Sequence, residues 1–178
     1  VAMVWKWLFN AEYGIINIVL GALHLPSKIQ WISDPKTALL ACAIVTIWSS
    51  VGYDAILLLS GLQSISKSYY EAARIDGANS FQQFKSITIP LVSPTLFFVL
   101  MMRVMASLNV FDIVYMMIEK TNPAIRSCET ILYNFYQETF VKNNKGYGSA
   151  LVVWCVILIA IITAVQFIGQ KKWVTYDV

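Results

Sequence analysis

Three stretches of the chain run almost free of charge: Thr37 to Ser66 holds only Asp54, Ser86 to Phe111 only Arg103, and Gly146 to Gln170 no charged residue. The last of these, roughly 25 residues, makes a helix about 37 Å long and covers a hydrocarbon layer of about 30 Å. Lipid offers no partner to backbone amides, so such runs are predicted as helices, and the period-two alternation of a membrane barrel is missing. Spans are expected near Ala38 to Leu62, Leu91 to Met116 and Tyr147 to Gly169. Before them, Val1 to Phe9 is apolar apart from Lys6, too short to span, and reads as the tail of a spanning helix. Asn10 to Leu25, moderately apolar and broken by glycine, suits a segment lying at the interface. Trp31, Ser33, Asp34 and Pro35 supply an interfacial aromatic, a capping residue and a proline at the first helical position, so the first full span starts there.

Composition agrees: 58% of the 178 residues are apolar and 13% charged, against roughly 25% charged in soluble domains. The net charge of +3 is too small and scattered for a nucleic-acid partner, and the apolar content excludes a disordered chain. Cys42, Cys128 and Cys155 form neither a CxxC pair nor an even set and read as small apolar fillers; His24, alone beside Pro26, reads as a surface histidine. No metal site and no catalytic residue is expected: GxxxxGK[ST], HExxH and GxSxG are all missing. Lysine and arginine divide five against six between the two sides of the spans, so charge does not orient the chain.

The connection from Ser64 to Pro90 carries the most explicit local chemistry. Ser68 and Glu71 have capping-box spacing and open a short helix through Tyr69, Tyr70, Ala72, Ala73, Arg74 and Ile75, with Gly77 placed to close it in a left-handed conformation. Ser80 and Gln83 repeat the spacing and start a second helix that Pro90 should end; Ser93 and Pro94 then open the next span. A short helix fixed between two spans is a rigid knob suited to a partner's groove.

Two further features concern polar groups inside the spans. Thr46, Ser49, Ser50 and Tyr53 fall on one helical face amid apolar neighbours. Hydroxyls bonded back to their own helix are one reading; four positions in register beside Gly52 favour a pore wall. In the next span Arg103 and Ser107 share a face with Val110, while Asn109 and Asp112 share another. Arg103 and Asp112 lie about 180° apart on an unbroken helix. An arginine at this depth costs at least about 2.5 kcal/mol unless it finds a partner or water. Asp54 is one partner, implying a neutral solute; an anionic solute such as a sugar phosphate or uronate is the other, and both stand open.

Glu71, Ala72, Ala73, Gly77, Ile87, Ile89 and Pro90, at their observed spacing, resemble the EAA loop of inner-membrane permease subunits of binding-protein-dependent ABC importers, with Ile89 where leucine is usual. Tyr70, Arg74, Ile75, Asp76, Ala78, Phe81 and Phe84 resemble the carbohydrate branch, which includes maltose and glycerol-3-phosphate permeases. The likeness runs from about Trp5 to Phe167. It implies an all-α, polytopic membrane helical bundle, the C-terminal part of a six-helix-type permease, with residues 1–178 as a partial transmembrane domain and 64–90 as a cytoplasmic coupling loop. It further implies a multi-pass protein of the bacterial inner membrane. The implied partners are a second permease subunit, two ATPase subunits that use ATP and magnesium, an extracytoplasmic solute-binding protein and membrane lipid; this chain itself would hold no cofactor and hydrolyse nothing. Tyr70, Glu71, Ala72, Ala73, Arg74, Asp76 and Gly77 are the implied ATPase-coupling residues. Thr46, Ser49, Ser50, Tyr53, Arg103 and Ser107 are the implied substrate path, with Ala106 and Val110 on the same face. Glu119, Lys120, Thr121 and Asn122 replace a glycine-rich turn that relatives carry before Pro123. The rival reading is half of an ion- or proton-coupled secondary transporter or channel, relaying charge through Asp54, Arg103 and Asp112; a purely structural membrane adaptor is a third.

Overall fold

A computed structural model describes residues 1–175, and among these it is helical with no strand. In chain order the helices are α1 (Ala2–Leu8), α2 (Ile15–Ala22), α3 (Pro35–Gln63), α4 (Lys67–Ile75), α5 (Ser80–Leu108), α6 (Asp112–Met117), α7 (Ile125–Cys128), α8 (Ile131–Tyr136) and α9 (Lys145–Gln170). Three of them, α3, α5 and α9, are long and apolar enough to cross a membrane, with 29, 29 and 26 residues. The all-α polytopic expectation holds. Asp34 caps α3 as expected, its Oδ1 accepting from the Lys36 amide at 2.9 Å ahead of the N1 proline.

The middle span departs from expectation at both ends. Pro90 does not end a helix: α5 runs from Ser80 straight through it. A proline ring clashes with the carbonyl four residues back, and the π-turn at Phe84–Thr88, immediately before, loosens the backbone where that carbonyl sits. Pro94 in turn removes a donor from the Pro90 carbonyl, and the Ser93 hydroxyl supplies one at 2.6 Å. At the other end the helix stops at Leu108 rather than Met116, and α6 begins at Asp112. No glycine or proline announces this break. Tertiary contacts hold it: the Thr130 hydroxyl donates to the Val110 carbonyl at 2.6 Å, and Phe111 stacks on Tyr115 at 5.2 Å and meets Tyr136 at 5.3 Å.

The contacts group the chain into two compact units, 1–50 with 108–156, and 51–107 with the residues from 157 onward. The first has a core of Phe9, Ala38, Ala41, Val45, Val114, Met117 and Tyr133. Asn17, buried, ties its interfacial segment together: Nδ2 donates to the carbonyls of Ala11 and Ile29, and Oδ1 accepts from Trp31 Nε1 at 2.9 Å. His24 is exposed and takes the left-handed position after α2, with φ +58°, that a glycine usually fills. The unusual 119–122 turn is anchored by its charges, Glu119 to Lys6 at 3.5 Å and the Lys120 ammonium 4.9 Å above the Tyr115 ring. Gly148 lets α9 lie against Thr139, whose Oγ1 a β-carbon there would strike.

All three cysteines are buried. Burial pushes the Cys128 thiol up, with an opposing, smaller pull from a hydrogen bond to Cys42. Thiolate is the reactive form, so at pH 8 iodoacetamide is expected to leave Cys128 unmodified in the folded protein and to modify it in denaturant, as read by peptide mass.

The second unit joins the later part of α3, α4 and most of α5 to the end of α9. Gly61 brings α3 against α5: a β-carbon there would lie 2.5 Å from Thr95 Oγ1 and 2.8 Å from its Cβ. Phe97 packs edge-on against Phe167 and Trp173, and the Thr175 amide donates to Ser93 Oγ at 2.9 Å.

Candidate functional site

The α4 knob is built differently from the expected capping box. Ser66, not Ser68, is the N-cap: its side chain accepts from the Ser68 amide and shares a 2.8 Å hydrogen bond with the Ser68 hydroxyl. Glu71 takes no part in the cap; it is exposed on the second turn. The C-terminus follows the expectation closely. Gly77 has φ +78°, the Ala78 amide reaches back to Ala73 O at 2.9 Å, and the Gly77 amide to Arg74 O at 3.1 Å. Those two bonds make a Schellman motif. The next cap lies one residue earlier than expected. Asn79 and Gln82 form a reciprocal capping box, and the Gln83 side chain binds the Ala78 carbonyl at 2.8 Å instead. Ser80 and Gln83 fit the same spacing, but the Schellman exit leaves Asn79 extended, which is the conformation a cap requires.

Tyr70 differs from the other loop residues. Its hydroxyl is hydrogen-bonded to Thr88 Oγ1 at 2.9 Å and it is half-buried, so it fastens α4 to α5. Glu71, Ala72, Arg74, Asp76 and Gly77 are exposed, while Ala73 is half-buried. The expected set omitted the most exposed apolar side chains on this loop, Ile75 at 87% and Phe81 at 72%. Their signal was present in the sequence: Ile75 is the one large aliphatic side chain in the short helix KSYYEAARI, next to charged Arg74 and Asp76.

On α3 the hydroxyls of Thr46, Ser49 and Ser50 donate to the carbonyls of Cys42, Thr46 and Ile47, which is the back-bonded arrangement. Ser107 does the same to Val104 on α5. Tyr53, Asp54 and Arg103, by contrast, are brought together within the second unit. Arg103 Nε donates to Asp54 Oδ1 at 2.8 Å, and the guanidinium carbon lies 5.9 Å from the Tyr53 ring centre. Arg103 therefore has the intrachain counter-charge that the sequence left open. Asp112 opens α6 and is exposed there, off the helix that carries Arg103. Among the described residues no cluster of three or more histidines, cysteines or carboxylates stands ready for a metal.

The chain as a whole has relatives among known proteins. The chain is 36% identical over 165 residues to the trehalose/maltose transport system permease protein MalF of Thermococcus litoralis, covering 92% of this chain and 54% of that protein. It is 37% identical over 163 residues to the sulfoquinovosyl glycerol transport system permease protein SmoG of Agrobacterium fabrum, with 92% and 52% covered. With the sn-glycerol-3-phosphate transport system permease protein UgpA of the same organism it shares 33% over 177 residues, with 98% and 58% covered. The chain thus spans about half the length of these relatives. Its fold matches a crystal structure of a bacterial ABC transporter involved in the import of the acidic polysaccharide alginate, with a TM-score of 0.85 at 21% identity over 96% of this chain and 59% of that one. The family model for the inner membrane component of binding-protein-dependent transport systems matches residues 1–173. A multi-pass chain with this loop between two of its spans belongs to that family of binding-protein-dependent transport system inner membrane components.

Proposed function

We propose that this chain is part of a permease subunit of a bacterial ABC importer for a carbohydrate or related polar solute. The observation that carries the reading is α4: a short helix between two membrane-length helices, capped at both ends and presenting Ile75 to its surroundings at 87% exposure. Burying that side chain against a partner is worth about 2 kcal/mol, which suits a docking knob and not a plain connector. On this reading Glu71, Ala72, Ala73, Arg74, Asp76 and Gly77 meet an ATPase subunit in the cytoplasm, and Tyr70 sets the knob's angle from α5. Two such ATPase subunits supply ATP hydrolysis with magnesium, a second permease subunit completes the pore, and an extracytoplasmic binding protein delivers the solute. Tyr53, Arg103 and Ser107 line the path in their unit, and Thr46, Ser49 and Ser50 continue the polar face along α3. Back-bonded hydroxyls keep acceptor capacity for a sugar's own hydroxyls. The named solutes of the relatives, trehalose and maltose, sulfoquinovosyl glycerol and glycerol 3-phosphate, support the polar-solute class.

Reconstitution of the assembled complex into proteoliposomes tests the proposal. Uptake of a carbohydrate should require internal ATP and persist when the proton gradient is collapsed. Uptake that ignores ATP and follows the gradient would overturn it.

A further inference from the structure

The Asp54 and Arg103 pair has features that a buried structural ion pair lacks. Its side chains remain 19% and 34% exposed, and one Nε to Oδ1 bond of 2.8 Å holds it. Beside it Tyr53 is 54% exposed, next to a guanidinium that lies 5.9 Å from its ring centre. A hydrogen-bond donor group and an acceptor group therefore stand side by side with an aromatic ring. Adjacent hydroxyls of a sugar match that set: one accepts from the remaining guanidinium N–H groups while its neighbour donates to the carboxylate, and the ring's C–H surface lies along the aromatic. A carboxylate or phosphate fares worse. The guanidinium attracts it, but the Nε edge needed for one bidentate grip is already taken, and the approaching anion comes up against the Asp54 carboxylate.

We infer that the Tyr53, Asp54 and Arg103 cluster selects uncharged polyhydroxyl solutes, with Asp54 as the residue that excludes anions. This rests on the proposed transport function and names the solute class for the same path. Substituting Asp54→Asn keeps the side chain's shape, removes the repulsion and leaves the guanidinium without a counter-charge, so it should convert the site to one that accepts acidic sugars.

The test uses the complete permease complex in lipid nanodiscs without its solute-binding protein, whose own preference would mask the path's. Binding of maltotriose and of trigalacturonate is followed by saturation-transfer NMR. The unaltered complex should bind the neutral sugar at least tenfold more tightly. Asp54→Asn should raise trigalacturonate binding tenfold or more, and adding Arg103→Gln should remove that gain. A preference for trigalacturonate in the unaltered complex overturns the inference, as does an assembled Asp54→Asn complex with no gain. If Asp54→Asn does not assemble, the unaltered complex decides by its preference between the two sugars. Equal handling of both sugars by a complex that still imports carbohydrate with ATP sinks the inference alone; import of no carbohydrate sinks the transport function with it.

Discussion

Replacing Gly77 with valine is expected to abolish ATP-driven uptake while leaving the solute-binding protein able to dock. A β-carbon at Gly77 meets nothing within 4 Å, so crowding is not the cause. The cause is φ +78°, where a β-branched residue is strained by about 1–2 kcal/mol or more. Relief of that strain breaks the two Schellman bonds and turns Ile75, Arg74 and Asp76 away from the ATPase subunit proposed to meet them. Asparagine tolerates the left-handed region, and Gly77→Asn should keep most of the uptake. ATPase activity of the assembled Gly77→Val complex should no longer respond to solute-loaded binding protein. Normal coupling in the valine variant would reduce α4 to a connector. Glu71→Ala should separate the two roles once assigned to that residue: with Ser66 as the cap, melting temperature should stay put and only coupling should fall.

The second large effect is expected at Gly61. Thr95 stands so close that valine cannot enter without driving α3 and α5 apart, and overpacking of this kind costs about 1–3 kcal/mol even where neighbours can shift. Here the nearest atoms include Thr95 Cβ, which is fixed to the backbone, so relief requires movement of a helix. Gly61→Val should lower the yield of folded protein in detergent and its thermal midpoint by several degrees. Gly61→Ala combined with Thr95→Gly moves the bulk to the other helix and should restore much of the loss. A Gly61→Val protein with an unchanged midpoint would show that the two helices do not approach as described.

The spans were legible because lipid imposes a simple demand, long runs without charge, that a sequence displays directly. The start of α3 was legible for the same kind of reason: Asp34 followed by Pro35 is a local signal needing no other part of the chain. Gly77 belongs here too. The capping residues were read one or two positions late because Ser66, Ser68, Asn79 and Ser80 all satisfy local rules, and the choice among them depends on how the Schellman motif hands the chain on. The passage of α5 through Pro90 was hidden because a π-turn has no composition of its own. The end of α5 at Leu108 was hidden because Thr130 and the tyrosines that hold the break come from later in the chain. Arg103 was recognised as needing a partner; that Asp54 is the partner required two helices in their places.

The bond between Ser93 and Thr175 joins positions 82 apart, and that separation sets an order of events. Ser93 lies within α5 and Thr175 follows α9, so the contact closes only when α5 and α9 are both in place. Until then Phe97 lacks the two aromatic rings that cover it. A half-inserted chain therefore leaves an aromatic uncovered beside a helix that carries Pro94. Trp173 is the natural sensor of completion, since its indole changes surroundings at the moment the contact closes.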